Sequence, residues 1–222
     1  MDFLKLCQTV NTECGITGAN QPTSVNNQSD ILNHIVNWVR TADYTIQNLY
    51  FDWRFLWSSV TQVIPEGVVS IVPQLTMKHI DPESVQIVDG DERVNIQVID
   101  YKQLRSIRST SPAMPFVCAI SPSNQIEFSQ PADKNYQIYY EFHKKPVELE
   151  NNTDVPLIPE EYHRCIVLQA KMYYAERYSV NEVAQEATKQ YQQYFDRLRS
   201  DQLPGLTNLR TIQPEFMTVV VE

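Results

Sequence analysis

The sequence predicts an α+β protein: a four-helix bundle, two helices from each end of the chain, with an inserted β-rich domain and an extended C-terminal tail. Three observations predict it. Apolar residues recur with a helical period over residues 2–49 and again over 159–201. Between them, from 54 to about 145, the period falls to two and turn formers punctuate short apolar runs. The two helical halves each carry one apolar stripe, and each stripe needs a partner. A single bundle that closes across the insertion satisfies both. The boundaries follow: 1–53 and 146–205 for the halves of the bundle, the latter including a linker, 54–145 for the insertion, and 206–222 for the tail. With 222 residues, 42% hydrophobic and 20% charged, the chain can bury a real core.

The first helix is expected over residues 2–14, with Phe3, Leu6, Val10 and Cys14 on one stripe. Asp2 suits its positive end, and Gly15 suits the residue just past its last turn. Residues 15–28 are turn formers and read as a loop. A longer helix should run from Asp30 to Leu49, with Ser29 as N-cap and Ile31, Ile35, Trp38, Val39, Ala42, Ile46 and Leu49 as its apolar face. In Trp53-Arg54-Phe55-Leu56-Trp57 the aromatics alternate, which reads as a strand.

Two hairpins are expected in the insertion. One joins Val60–Ile64 to Val68–Val72 through Pro65-Glu66-Gly67. The other joins Val85–Val88 to Val94–Ile99 through Asp89-Gly90-Asp91-Glu92. Asp100 to Ile107 reads as one or two helical turns. Phe116–Ile120, Gln125–Phe128 and Tyr136–Phe142 read as strands, the last alternating cleanly through Tyr136, Ile138, Tyr140 and Phe142.

Residues 146–158 form a polar, proline-bounded linker. Pro159 suits the first position of a third helix that runs to Tyr178, with Glu160 and Glu161 in its first turn. Ser179-Val180-Asn181-Glu182 reads as a capping box opening a fourth helix to about Asp201, stopped by Pro204-Gly205. The tail has no helical period and ends in the β-branched run Met217-Thr218-Val219-Val220-Val221. An apolar end of this kind is costly to leave in water. Leu206, Leu209, Ile212, Phe216, Met217, Val219, Val220 and Val221 are therefore the candidate partner-docking residues, with the protein's own β-domain as the alternative acceptor.

Composition excludes several function classes. The five glycines build neither G-x-G-x-x-G nor a P-loop, and G-x-S-x-G and H-E-x-x-H are absent. Lys and Arg number 18 against 27 Asp and Glu, a net charge of −9, and no basic patch stands out. Such a surface repels nucleic acid over most of its area. The aromatics at Phe51, Trp53, Phe55 and Trp57 could stack bases, but only Arg54 is interleaved, so they read as a core cluster. Lys102, Arg105 and Arg108 are the one compact basic group. They read as a solvated face or an inter-subunit salt bridge. Four cysteines without C-x-x-C fit reduced thiols in a protein made in the cytoplasm. The opening Met1-Asp2-Phe3-Leu4-Lys5 is unlike a signal peptide, and no run is long and apolar enough for a membrane span.

Glu160-x-x-His163 is the best candidate for chemistry. Glu and His at i, i+3 are half of a carboxylate di-iron site, which needs a second such pair and two further glutamates. No second pair occurs, and acids are ordinary in a first helical turn. His34, His79 and His143 stand alone in sequence. No catalytic, metal or cofactor residue is assigned, and no cofactor is expected.

Several blocks, taken in order, resemble the head-to-tail adaptor (connector) proteins of tailed bacteriophages, chiefly of short-tailed phages. They are Met1-Asp2-Phe3-Leu4-Lys5-Leu6-Cys7-Gln8, Ile35-Val36-Asn37-Trp38-Val39 running to Ile46-Gln47-Asn48-Leu49, and Asp52-Trp53-Arg54-Phe55. Later come Thr153-Asp154-Val155-Pro156-Leu157-Ile158-Pro159-Glu160-Glu161-Tyr162-His163, Ala170 to Ala175, and Asp201-Gln202-Leu203-Pro204-Gly205. The stretch from about 60 to 110 matches poorly. The resemblance implies a structural virion protein, forming a ring usually of twelve subunits at the head–tail junction. The ring's partners would be its own copies, the portal, and a tail nozzle or tail tube protein, with DNA passing through the bore without specific binding. A tail-associated hydrolytic or metal-dependent enzyme and a nucleic-acid-binding module are the competing classes.

Overall fold

The computed structural model describes residues 1–16 and 21–203. The chain is mixed α and β and divides into two compact units. One takes Met1–Leu56 and the described residues from Pro146 on; the other is Trp57–Lys145.

The helical unit holds α1 (Phe3–Glu13), α2 (Asp30–Leu49), α4 (His163–Tyr178) and α5 (Asn181–Gln202). Asp2 caps α1, its carboxylate accepting from Lys5 N–H, and Gly15 closes the helix at φ +61°. α2 has the bounds its apolar stripe predicts, but Ser29 makes no capping bond. α4 packs against α1, α2 and α5. That central place explains why Cys165 through Ala170 are buried without interruption, where a surface helix would bury one stripe. One core joins both sequence halves: Ile35, Ile46, Trp53, Ile166 and Leu198 are buried in it, and Trp38, Tyr173 and Tyr191 pack against it.

Three local expectations fail here. The aromatic alternation at 53–57 does not make a strand; Arg54–Leu56 is a 3₁₀ turn, closed by Leu56 N–H to Trp53 O. Trp53 is drawn into the helical core, its indole N–H donating to Ile46 O at 3.0 Å. Pro159 does not open a helix directly: Glu160–Tyr162 form a 3₁₀ turn before α4 starts at His163. The capping box is absent as well. Ser179 takes the left-handed conformation (φ 56°) that ends α4, which turns it away from the start of α5.

The β unit holds two sheets over a shared core. The first runs β1 (Trp57–Ile64), β9 (Tyr136–Lys144), β4 (Gln86–Asp89), β5 (Glu92–Asn95), with β3 (Met77–Ile80) also on β9. The second runs β2 (Ser70–Ile71), β8 (Ile126–Phe128), β7 (Val117–Ile120), β6 (Gln97–Val98). All pairs are antiparallel except β6–β7. Ile64, Ile87, Ile138 and Tyr140 from the first sheet meet Cys118, Ile126 and Phe128 from the second. α3 (Tyr101–Ile107) sits on the far side of β7, with Leu104 against Val117 and Ala119.

The second expected hairpin forms: β4 and β5 pair around Gly90, at φ +60°. The first does not. β1 pairs with β9 over eight residues, Trp57↔His143 to Ile64↔Tyr136, far more ladder than a short hairpin offers. The Pro65–Gly67 turn is held by residues 132–135 (Glu66 N–H to Asn135 Oδ1, Gly67 N–H to Ala132 O), which sends the chain to the second sheet.

Candidate assembly surfaces

The linker after Lys145 is tied to α2 by polar side chains that the sequence reading passed over. Gln47 lies against Val147 like an added strand, accepting its N–H at 3.0 Å and donating to its carbonyl at 3.1 Å. The same amide donates to Asp43 Oδ2 at 2.7 Å. Arg40 donates to Leu149 O at 2.8 Å while its guanidinium lies over the Phe3 ring. The sequence offered only their i, i+4 spacing on α2; the structure adds that both are buried beside the apolar stripe. Burial pushes the Asp43 carboxyl up to about 7, against the weaker pull of the Gln47 hydrogen bond.

Further along, the linker caps α1. Phe3 and Leu4 N–H groups donate to the carbonyls of Asp154 and Asn152. The Asn152 side chain accepts from Val25 N–H at 2.7 Å. Asp154 folds the linker on itself, accepting from the N–H groups of Asn151 and Glu150, which hold its carboxyl below the usual range. The opening block and the Thr153–His163 block are thus one contact in space, and the block residues serve packing.

Glu160 and His163 belong to that contact. The Met1 ammonium donates to Glu160 Oε1 at 3.0 Å and to His163 Nδ1 at 2.9 Å, and His163 Nε2–H donates to Ile158 O. Burial, then the adjacent ammonium, push the imidazole below its ordinary value, so it is neutral with the proton on Nε2. Both ring nitrogens are engaged in packing. Among the described residues, no three His, Cys, Asp or Glu side chains converge as a metal site would require.

Other singled-out residues are scattered. His34 stacks on Trp38, and Trp57 stacks on His143, which faces His79 in the β3–β9 register. Trp53 packs with Tyr50, Phe55 and Phe195 in the helical unit. Arg108 pairs with Glu127, and Lys102 and Arg105 are exposed on α3. All four cysteines are free thiols. The eight tail residues from Leu206 to Val221 lie outside the described residues, as does the Pro204-Gly205 stop.

Among the open clefts of the helical unit, two are larger than the rest described. One of about 590 Å³ lies along the linker, between Val147, Glu148, Glu150 and Val155. The other, about 550 Å³, lies between α2 and α4, where Trp38, Tyr173, Glu176 and Arg177 face it. Neither brings together a nucleophile, a base and an orienting group. No described helix is long and apolar enough to cross a membrane.

The described residues thus present a helical unit knit together by packing contacts and a β unit with open strand edges. The model of the SU10 adaptor protein family matches residues 1–211, and the chain belongs to that family, which makes it a phage structural adaptor and a virion component. No curated protein matches the chain.

Proposed function

We propose that copies of this chain form a ring, of about twelve subunits as the family resemblance implies, that joins the capsid portal to the tail of a short-tailed phage. The observation that carries this reading is the adaptor family match across both helical halves and the insertion. In it, α1, α2, α4 and α5 act as one four-helix bundle, interrupted by the β domain. The ring sits at the head–tail junction, contacts the portal on one side and a tail nozzle or tail tube protein on the other, and passes DNA through its bore. The net charge of −9 per chain supports a bore that does not grip DNA.

The tail from Leu206 to Glu222 is the docking arm. Its acceptor is another chain of the assembly, the portal or an adjacent adaptor subunit. The test is truncation after Gly205. The shortened chain should keep its helical content and thermal stability but fail to join portal-containing heads. A truncated chain that still joins heads, or that unfolds, would refute the arm.

A further inference from the structure

Open strand edges invite pairing, and folded proteins protect them with charge, irregularity or shortness. The other edges here are protected in these ways. β5 carries Glu92 and Arg93. β3 carries Lys78 and a register shift between Met77 and His79. β2 and β6 are two residues long. β1 has none of these protections. It reads Trp-Ser-Ser-Val-Thr-Gln-Val-Ile, eight residues without a charge, a proline or a bulge, and among the described residues it pairs with β9 alone. Its outer face also leaves Trp57 41% and Val63 58% exposed, apolar surface that a neighbouring strand's side chains could cover.

The same chain carries a segment of matching chemistry outside the described residues. Phe216-Met217-Thr218-Val219-Val220-Val221 is uncharged, apolar and β-branched, hence strand-prone. Residues 204–215 before it span at most about 3.3–3.6 Å each, roughly 40 Å in all.

We infer that β1 is the acceptor edge for residues 216–221 of a second copy of this chain, which add to the first sheet as a further strand. The inference rests on the ring-forming adaptor reading. Each chain then carries one donor strand and one acceptor edge, and a head-to-tail contact of this kind propagates from copy to copy until a ring closes. Backbone hydrogen bonds supply the affinity, and the neutral faces of both strands supply the match. The absence of charge on β1 is then required for assembly.

The experiment is hydrogen exchange of the 57–64 segment, with particle size measured in parallel. It compares the full chain, the chain truncated after Gly205, the truncated chain with a synthetic 206–222 peptide, and the full-length Val220→Pro variant. Proline removes a ladder donor from the tail without touching the described fold. The expected result is at least tenfold slower exchange in multimeric full-length protein, lost on truncation and in Val220→Pro, and restored by the peptide. Exchange that ignores the tail would overturn the inference. So would tail-dependent protection in a strictly monomeric protein, because the strand would then be the chain's own. Head joining separates the two readings. If truncation blocks joining but leaves β1 exchange unchanged, only this inference fails. If truncation changes neither, the docking arm fails as well.

Discussion

Replacing Asp43 with Asn should stabilise the protein at neutral pH and have little effect in acid. Asp43 is fully buried on α2; Oδ2 accepts from Gln47, and Oδ1 has no hydrogen-bond partner among the described residues. Burial raises its carboxyl from 3.8 in the unfolded chain to about 7 in the fold. The folded state therefore keeps a proton that the unfolded chain gives up as pH rises from about 4 to 7. Stability falls across that window and levels off above it. The full linked loss is (7 − 3.8) × 1.36, or about 4 kcal/mol, of which about 2 kcal/mol falls between pH 5.5 and 7. Asn keeps the shape and can still accept from Gln47; its amide leaves two buried N–H donors unpaired where the protonated acid leaves one O–H, a cost that does not vary with pH and so leaves the difference in slope intact. The assay is urea unfolding followed by helical circular dichroism from pH 5.5 to 8.5, above the pI of about 4.9. The wild type should lose about 2 kcal/mol relative to Asp43→Asn over that range. Taking the difference cancels other groups, including His163, whose lowered value acts in the opposite direction. Parallel stability curves for the two proteins would refute the buried-acid argument.

Trp53→Ala removes a buried indole and its bond to Ile46 O, and should destabilise by about 3–5 kcal/mol in calorimetry. Glu13→Gln weakens the contacts of α1 with Arg164 and Lys171 on α4. Burial raises the Glu13 carboxyl, but hydrogen bonds and charge from Arg164 and Lys171 outweigh it and hold the group below its usual range. The loss should be about 1 kcal/mol at neutral pH, after discounting for partial exposure, and should fade as acid protonates the wild-type carboxylate. Gln47→Ala should release the linker at Val147, read as faster amide exchange over 147–149 with the exchange of β1 unchanged.

Long periodic elements were the most legible. α2 follows its stripe from Asp30 to Leu49, and β9 follows its alternation from Tyr136, because each buries a whole face and the pattern is long. The β4–β5 hairpin was legible because Gly90 supplies a positive φ that few residues adopt. The failures lie where tertiary competition decides. Val60–Ile64 and Val68–Val72 are adjacent in sequence, yet β9, more than seventy residues away, offers β1 the longer ladder. Ser179 carries a capping residue type but was needed to end α4. Trp53 fits a strand pattern but was claimed by the helical core. At the surfaces, the sequence marked the tail as a docking candidate by composition alone, and the tail lies outside the described residues. The Asp43–Gln47 clasp went unread because its meaning depends on a linker a hundred residues away.

The most direct test of the adaptor reading is electron microscopy of the full-length protein mixed with its purified portal. A closed ring of this chain seated on the portal, about twelve copies in number, is the predicted image. Portal particles that remain bare beside unassembled chains would contradict it.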